Sequence, residues 1–388
     1  MNIHPSKKMA IFEPSIFGKL KQAVADSGKK HANIIDLSIG SPDLPPHEII
    51  RKALADKSMQ KDVYGYTLGG TDRFHQAVVD YYKRRSNVRL DPDTEVIKTM
   101  GSQEGLVHLP FAFCDVGDIV LTTNPAYVAY EAGVKMAGAI PYEMPLLAEN
   151  NFLPDLDVIP EEIAKQAKLL ILNLPGNPVP AMPTTTFFEK VIAFAKKYEI
   201  IVVHDAAYSE FYFTGNRPFS FLSIPGAKEV GIEVNSLSKS FSLAGARIAY
   251  MVGNREVIQI MKALKSNLDY GTFEPIQEAA AVGLDHAEEI TESLREVFKI
   301  RHETLTVGLE KLGWQVAPST GGMFVWAKYP YDVDDTDFVL ELIQQSGIVM
   351  VPGSAFGTEG KGYVRIALVQ ETSVLEEAIM RLDSFRMS

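Results

Sequence analysis

Apolar and polar positions switch period repeatedly from about Lys98 to Lys239, and that switching predicts the fold class. The segments "DIVLTTNP" (118–125), "AKLLILNLPGNP" (167–178), "EIIVVHD" (199–205) and "VGIEVNSLSK" (230–239) each carry an apolar run closed by polar or turn-forming residues. They read as strands, and the length of the Leu-Leu-Ile-Leu run fits burial on both faces. Between them, "TFFEKVIAFAKKY" (186–198) has apolar residues at helical spacing, and Thr186 with Glu189 forms a capping box at its start. "GSQEGLVHLPFAF" (101–113) opens a helix at Ser102. Strands alternating with helices predict an α/β fold, a mostly parallel sheet with helices on both faces.

The two ends differ from this middle. The first dozen residues read as an arm, followed by a short helix, "IFGKLKQAVADSG", that Gly28 closes. After residue 285 a helical stretch, "HAEEITESLREVFKIRHETLTVGLEKLG", precedes "GGMFVWAKYP" and "GIVMVPGSAFG…GYVRIALV", which read as strands of a smaller α+β domain. The early "IIDLSIG" joins that domain, because it precedes the alternating region. The expected division is an N-terminal arm over 1–14, a small α+β domain from 15–46 with 285–388, and a large domain over 47–284.

Composition narrows the function classes. The 388 residues carry a net charge of −11, so the chain has no basic footprint for nucleic acid. One cysteine, Cys114, excludes an intrachain disulfide and any cysteine-rich metal site, and it suits a reducing cytoplasm. No apolar run approaches the ~18 residues of a membrane span, and the N-terminus lacks the apolar core of a signal peptide. The eight histidines show no metal-ligand spacing, so no metal is expected.

In open α/β sheets ligands bind beyond the carboxyl ends of the strands. Asn177 follows one predicted strand; Asp205, with Tyr208 three residues on, ends another. Ser236, Ser238, Lys239 and Arg247 follow a third, and Ser102 and Gln103 begin a helix. His204 precedes Asp205, and strand alternation points it away, into a structural role. This set matches the needs of pyridoxal phosphate: an amine for a Schiff base, an acid opposite the ring nitrogen, and a phosphate cradle of hydroxyls, an arginine and a helix N-terminus. A phenol and an amide, Tyr208 and Asn177, suit the ring oxygen.

The chain resembles the class I/II aminotransferases, pyridoxal phosphate enzymes of fold-type I, along nearly its whole length. The pieces that carry the resemblance are "LSIGSPD", "YGYTLGG", "GSQEGL", "NPAYVAYE", "NLPGNP", "HDAAYSE", "SLSKSFSLAGAR", "PSTGGMFVW", "VPGSAFG" and "GYVRIAL". Their order and spacing are the specific part. The resemblance implies that Lys239 carries the cofactor and moves the proton between the substrate α-carbon and the cofactor, while Asp205 pairs with the ring nitrogen. It implies that Tyr208 and Asn177 contact the ring oxygen, that Tyr127 stacks on the ring, and that Ser236, Ser238, Arg247 and the backbone near Ser102 and Gln103 hold the phosphate. Arg365 would clamp the substrate α-carboxylate with the Gly40 backbone beside it. Tyr66 would reach the phosphate of a neighbouring subunit, implying a homodimer with shared active sites.

Three positions depart from the family pattern. Val179 and Pro180 follow Asn177 where a hydroxyl residue and a glycine are usual, and Pro180 lacks a donor and fixes its own φ. Ala246 stands where tryptophan is common, and Gln103 replaces a frequent lysine. The expected activity is amino transfer between an L-amino acid and a 2-oxo acid by ping-pong chemistry, nearest to bacterial alanine-, methionine- or diaminopimelate-type enzymes. No clear second arginine marks a strict aspartate preference. The rivals are a carbon–sulfur β-lyase of the same fold and a non-catalytic cofactor-binding module.

Overall fold

A computed structural model describes residues 1, 3–12, 16–27, 33–215 and 217–387. Gly28, expected to close the first helix, lies outside the described residues; the helix itself spans Ile16–Ser27. In chain order the strands are β1 (Ile35–Asp36), β2 (Val96–Thr99), β3 (Ile119–Asn124), β4 (Ile140–Pro145), β5 (Ala167–Asn173), β6 (Ile201–Asp205) and β7 (Gly231–Ser236). They continue with β8 (Ala249–Gly253), β9 (Gln315–Val316), β10 (Phe324–Lys328), β11 (Ile348–Val349), β12 (Val351–Pro352) and β13 (Tyr363–Ala367).

Seven strands form the main sheet in the order β2-β8-β7-β6-β5-β3-β4. Only β8 runs against the others, pairing antiparallel with both β2 and β7. The unbroken apolar runs follow from burial on both sides. In β5, Leu170 and Leu172 enter one core while Leu169 and Ile171 enter another. Each such side chain contributes roughly 1.5–3 kcal/mol when fully buried.

β12-β13-β10-β9 form a second, antiparallel sheet, and β1 pairs in parallel with β11. Helices Ala287–Lys311, Asp335–Ser346 and Thr372–Ser384 accompany these strands. A separate core of Phe298, Leu305, Phe338, Leu342, Ile366 and Leu375 holds this part together. Among the described residues no helix is long and apolar enough to cross a membrane, and no cluster of ligating side chains could hold a metal.

Two local expectations need correction. The helix Thr185–Tyr198 begins earlier than its capping box implied: Thr184 is the cap, and its hydroxyl accepts from the Phe187 amide at 3.1 Å. Starting there lets the chain enter the helix directly after Pro183 and buries Phe187 and Phe188. The strand expected to run up to Lys239 stops at Ser236, and Lys239 stands on a single helical turn, Leu237–Ser240. Ser236 caps that turn by accepting from the Ser238 amide at 3.2 Å.

Candidate active site

The carboxyl ends of β5, β6 and β7 deliver their polar residues to one cavity of about 420 Å³. Register explains the grouping, since Asn173 lies beside Asp205 and Asp205 beside Val234 across the parallel ladder. Asp205 is buried, and its carboxylate accepts from the Tyr130 hydroxyl at 2.7 Å and from the Ala207 amide at 3.1 Å. Burial raises its pKa, and those two donors oppose the rise. Asn173 joins the strand ends, donating to the Asp205 carbonyl at 2.8 Å and accepting from the Asn177 amide at 2.8 Å. His204 faces the other way, between Glu233 (3.0 Å) and the Leu174 carbonyl (2.9 Å), in a structural position.

The Lys239 amine donates to the Gly40 carbonyl. Burial first, and then the nearby charges of Arg365 and Arg247, hold its pKa down to about 8. The Arg247 backbone is left-handed, at φ 55°, and its side chain is exposed to the cavity. Gly101 has φ 86°, which strains any other residue, and a Cβ there would overlap the Arg247 guanidinium and force it to move. Ser102, Gln103, Ser236 and Ser238 line the same cavity. Tyr127 donates to the Gln103 side-chain carbonyl at 3.0 Å, and burial raises its pKa.

Arg365 comes from β13, opposite Trp326 of β10. It donates to Asn177 Oδ1 at 2.8 Å and to the Ser38 carbonyl, and its guanidinium carbon lies 4.5 Å from the Phe324 ring centroid and 5.0 Å from that of Phe356. Burial lowers its pKa to about 10. Its Nε is buried with no hydrogen-bond partner, and among the described residues no carboxylate pairs with it. A buried cation held by neutral acceptors alone is a receptor for an anion. Tyr208 is buried, its ring edge-on to Phe324 at 5.5 Å.

The cavity therefore gathers Lys239, Asp205, Tyr208, Asn177, Tyr127, Ser102, Gln103, Ser236, Ser238, Arg247, Arg365 and Gly40. Tyr66 is the exception. It is 84 % exposed and packs on Tyr270 at 5.1 Å, away from this cavity. Tyr130, Asn173 and Phe324 were not singled out in the sequence, although Tyr130 follows Tyr127 by three residues in "NPAYVAYE" and Asn173 opens "NLPGNP". Of the departures, Val179 is buried and its carbonyl accepts from the Gly176 amide at 3.0 Å, while the Pro180 carbonyl accepts from Ser319 at 3.2 Å. Ala246 is half-buried against the main core.

Residues 32–382 match the family described as aminotransferase class I and II. The chain belongs to the class I and II aminotransferases. It is 41% identical to an LL-diaminopimelate aminotransferase of Aquifex aeolicus, over 98% of this chain and 99% of that one. A substrate-bound BacF structure from Bacillus subtilis superposes with a TM-score of 0.93 at 36% identity, covering 99% of this chain and 98% of that one. A probable N-succinyldiaminopimelate aminotransferase from Thermus thermophilus gives 0.91 at 34% identity, over 95% of this chain and all of that one (100%).

This aminotransferase uses pyridoxal phosphate, and the site passes a test of fit to it. Three hydroxyls, a guanidinium and a helix start form a cradle in which a Cβ at Gly101 would overlap Arg247, and a buried carboxylate and a depressed amine line the same cavity. When bound, the cofactor supplies an electron-accepting ring that stabilises negative charge at the substrate α-carbon. Amino transfer between an L-amino acid and a 2-oxo acid then needs an amine that can take and return a proton near neutral pH. Lys239, at about 8, is suited to that exchange.

Proposed function

We propose that this aminotransferase takes its amino group from a long L-amino acid of the LL-diaminopimelate kind. The names of full-length relatives near 40% identity support this reading. The composition of the cavity also supports it. Arg247 and Arg365 are its only lining arginines among the described residues, and Arg247 sits at the hydroxyl cradle. The side-chain carboxylate of aspartate thus finds no further arginine among the described residues that line the cavity. The far end of diaminopimelate carries both an ammonium and a carboxylate and requires none.

In this reading Lys239 carries the cofactor and moves the proton at the substrate α-carbon, and Asp205 faces the ring nitrogen. Tyr208 and Asn177 serve the ring oxygen, and Tyr127 lies against the ring. Ser102, Gln103, Ser236, Ser238 and Arg247 take the phosphate. Arg365, with the Gly40 backbone, takes the substrate α-carboxylate. The observation that carries the assignment is the buried Arg365 without an acidic partner, in one cavity with Lys239 and Asp205.

The reading extends to a cytoplasmic homodimer in which Tyr66 serves the partner's site, and to the division into an arm (1–14), a small domain (15–46 with 285–388) and a large domain (47–284). Tyr64, Tyr66, Leu68 and Tyr270 are 66, 84, 52 and 64 % exposed, an apolar patch suited to cover by a second copy. Adding amino acids singly to the holoenzyme tests the donor. LL-diaminopimelate should bleach the visible cofactor band, and a 2-oxo acid should restore it. A decisively faster reaction with aspartate would overturn the substrate assignment. Sedimentation as a monomer at micromolar concentration would overturn the dimer.

A further inference from the structure

The alternation of β10 and its antiparallel pairing with β13 place Phe324, Trp326 and Arg365 on one face of the small sheet. Phe324 is fully buried there and touches three separate parts of the site. Its ring is the closer of the two beside the Arg365 guanidinium. It meets the Tyr208 ring edge-on. It also fills the space that Gly40 leaves, since a Cβ on Gly40 would lie 3.1 Å from Phe324 Cζ. Phe356, by contrast, touches Arg365 and Trp326 but makes no ring contact with Tyr208. One phenyl ring thus joins a guanidinium, a phenol and a backbone turn that come from β13, the loop after β6 and the segment after β1.

We propose that Phe324 is a positioning residue shared by the carboxylate-binding arginine and the tyrosine beside the cofactor, so that seating the substrate and setting the cofactor's electronic environment depend on the same ring. Phe356 serves the arginine alone. The inference rests on the roles proposed above for Arg365 and Tyr208. Phe324 acts through both contacts at once. The face of its ring holds the cation, an interaction that strengthens where water is excluded. Its edge contact fixes the Tyr208 ring, whose hydroxyl must keep its direction for any hydrogen bond to the cofactor.

The test compares Phe324→Leu with Phe356→Leu in the holoenzyme, using three readouts: KM against kcat for the amino donor, the dissociation constant of propanoate as a simple carboxylate probe, and the position and pH midpoint of the visible cofactor band. Phe356→Leu should weaken propanoate and raise KM on the order of tenfold, leaving the band in place. Phe324→Leu should weaken propanoate at least as much, lower kcat as well, and displace the band or its midpoint. Gly40→Ala keeps the phenyl group but pushes on it. It should reproduce both effects in weaker form, which holds the proposal to account if Phe324→Leu folds poorly. A Phe324→Leu enzyme with wild-type spectrum and kcat would overturn the inference, as would equal spectral displacement by both leucine variants. Arg365→Ala is the separate control: if it leaves propanoate binding unchanged, the assignment of Arg365 fails rather than that of Phe324.

Discussion

Replacing Tyr130 with phenylalanine removes one oxygen and leaves the ring in its buried place. The missing hydroxyl is the shorter of the two hydrogen bonds to the Asp205 carboxylate, 2.7 Å against 3.1 Å from the Ala207 amide. Tyr130 is 2 % and Asp205 4 % exposed, so no bulk water replaces the lost donor. A hydrogen bond to an ionised group is worth about 1.5–3 kcal/mol, which corresponds to roughly a ten- to hundredfold change in the balance between ionised and neutral carboxyl. Burial already raises the Asp205 pKa, and the hydrogen bond from Tyr130 works against that rise, so its loss drives the pKa further up. In Tyr130→Phe the acid limb of kcat/KM should therefore move to higher pH. On the acid side of the wild-type limb the variant should lose about ten- to hundredfold in activity, and it should bind the cofactor more weakly. Stopped-flow kinetics between pH 5 and pH 9, with absorbance titration of the cofactor, reads both. An unmoved acid limb at full activity would refute the reasoning, showing that the Ala207 amide alone keeps the carboxylate ionised.

Three further outcomes follow from the same geometry. Because burial raises the Asp205 pKa above the ordinary 3.8, the cofactor-free chain loses stability as pH climbs from that value through the raised one. Asp205→Asn should stabilise the cofactor-free protein at pH 8 by about 1–3 kcal/mol in urea denaturation while abolishing transamination. With Lys239 at about 8, the rate at which cofactor recombines with the cofactor-free protein should rise about tenfold from pH 7 to pH 9 and then level. An amine at the ordinary lysine value would give roughly a hundredfold rise over the same interval with no plateau. Gly101→Ala should place a methyl group against the Arg247 guanidinium, and its left-handed backbone adds strain. Cofactor affinity, followed by absorbance, should fall by at least about tenfold while the far-UV spectrum is unchanged.

Those parts of the site that depend on one strand and the residues just after it were legible in the sequence. β3, β5, β6 and β7 each carry an apolar run; Asp205 ends β6, and Asn177 and Lys239 come within four residues of the ends of β5 and β7. Features decided by distant pairing were not legible. β4 spans "IPYEMP", whose two prolines argue against a strand until its place at the sheet edge is known. β8 is short and runs against its neighbours, so no strand–helix alternation announces it. The bond from Tyr130 to Asp205 joins residues 75 positions apart, and only the packing of its helix on the sheet brings them together. Nothing in "GGMFVW" sets Phe324 apart from its apolar neighbours, because its three contacts come from three other segments. The start at Thr184 was ambiguous for a local reason: three consecutive threonines can each cap a helix, and the buried Phe187 and Phe188 select among them.

The parallel pairing of β1 with β11 and the contact of Arg365 with the Ser38 carbonyl, 327 positions away, have a consequence for synthesis on the ribosome. The segment "NIIDLSIG" leaves the exit tunnel early, but its strand partner is made almost last. At about 5–20 residues per second, its isoleucines and leucine wait roughly 15–60 s beside a growing chain. The main sheet, complete by Gly253, can collapse in that interval and gather Asp205, Ser236 and Lys239 while the carboxylate receptor does not yet exist. The nascent protein thus passes through a stage in which the cradle proposed for the cofactor precedes the clamp proposed for the substrate, with an unpaired apolar strand near its N-terminus as a handle for chaperones.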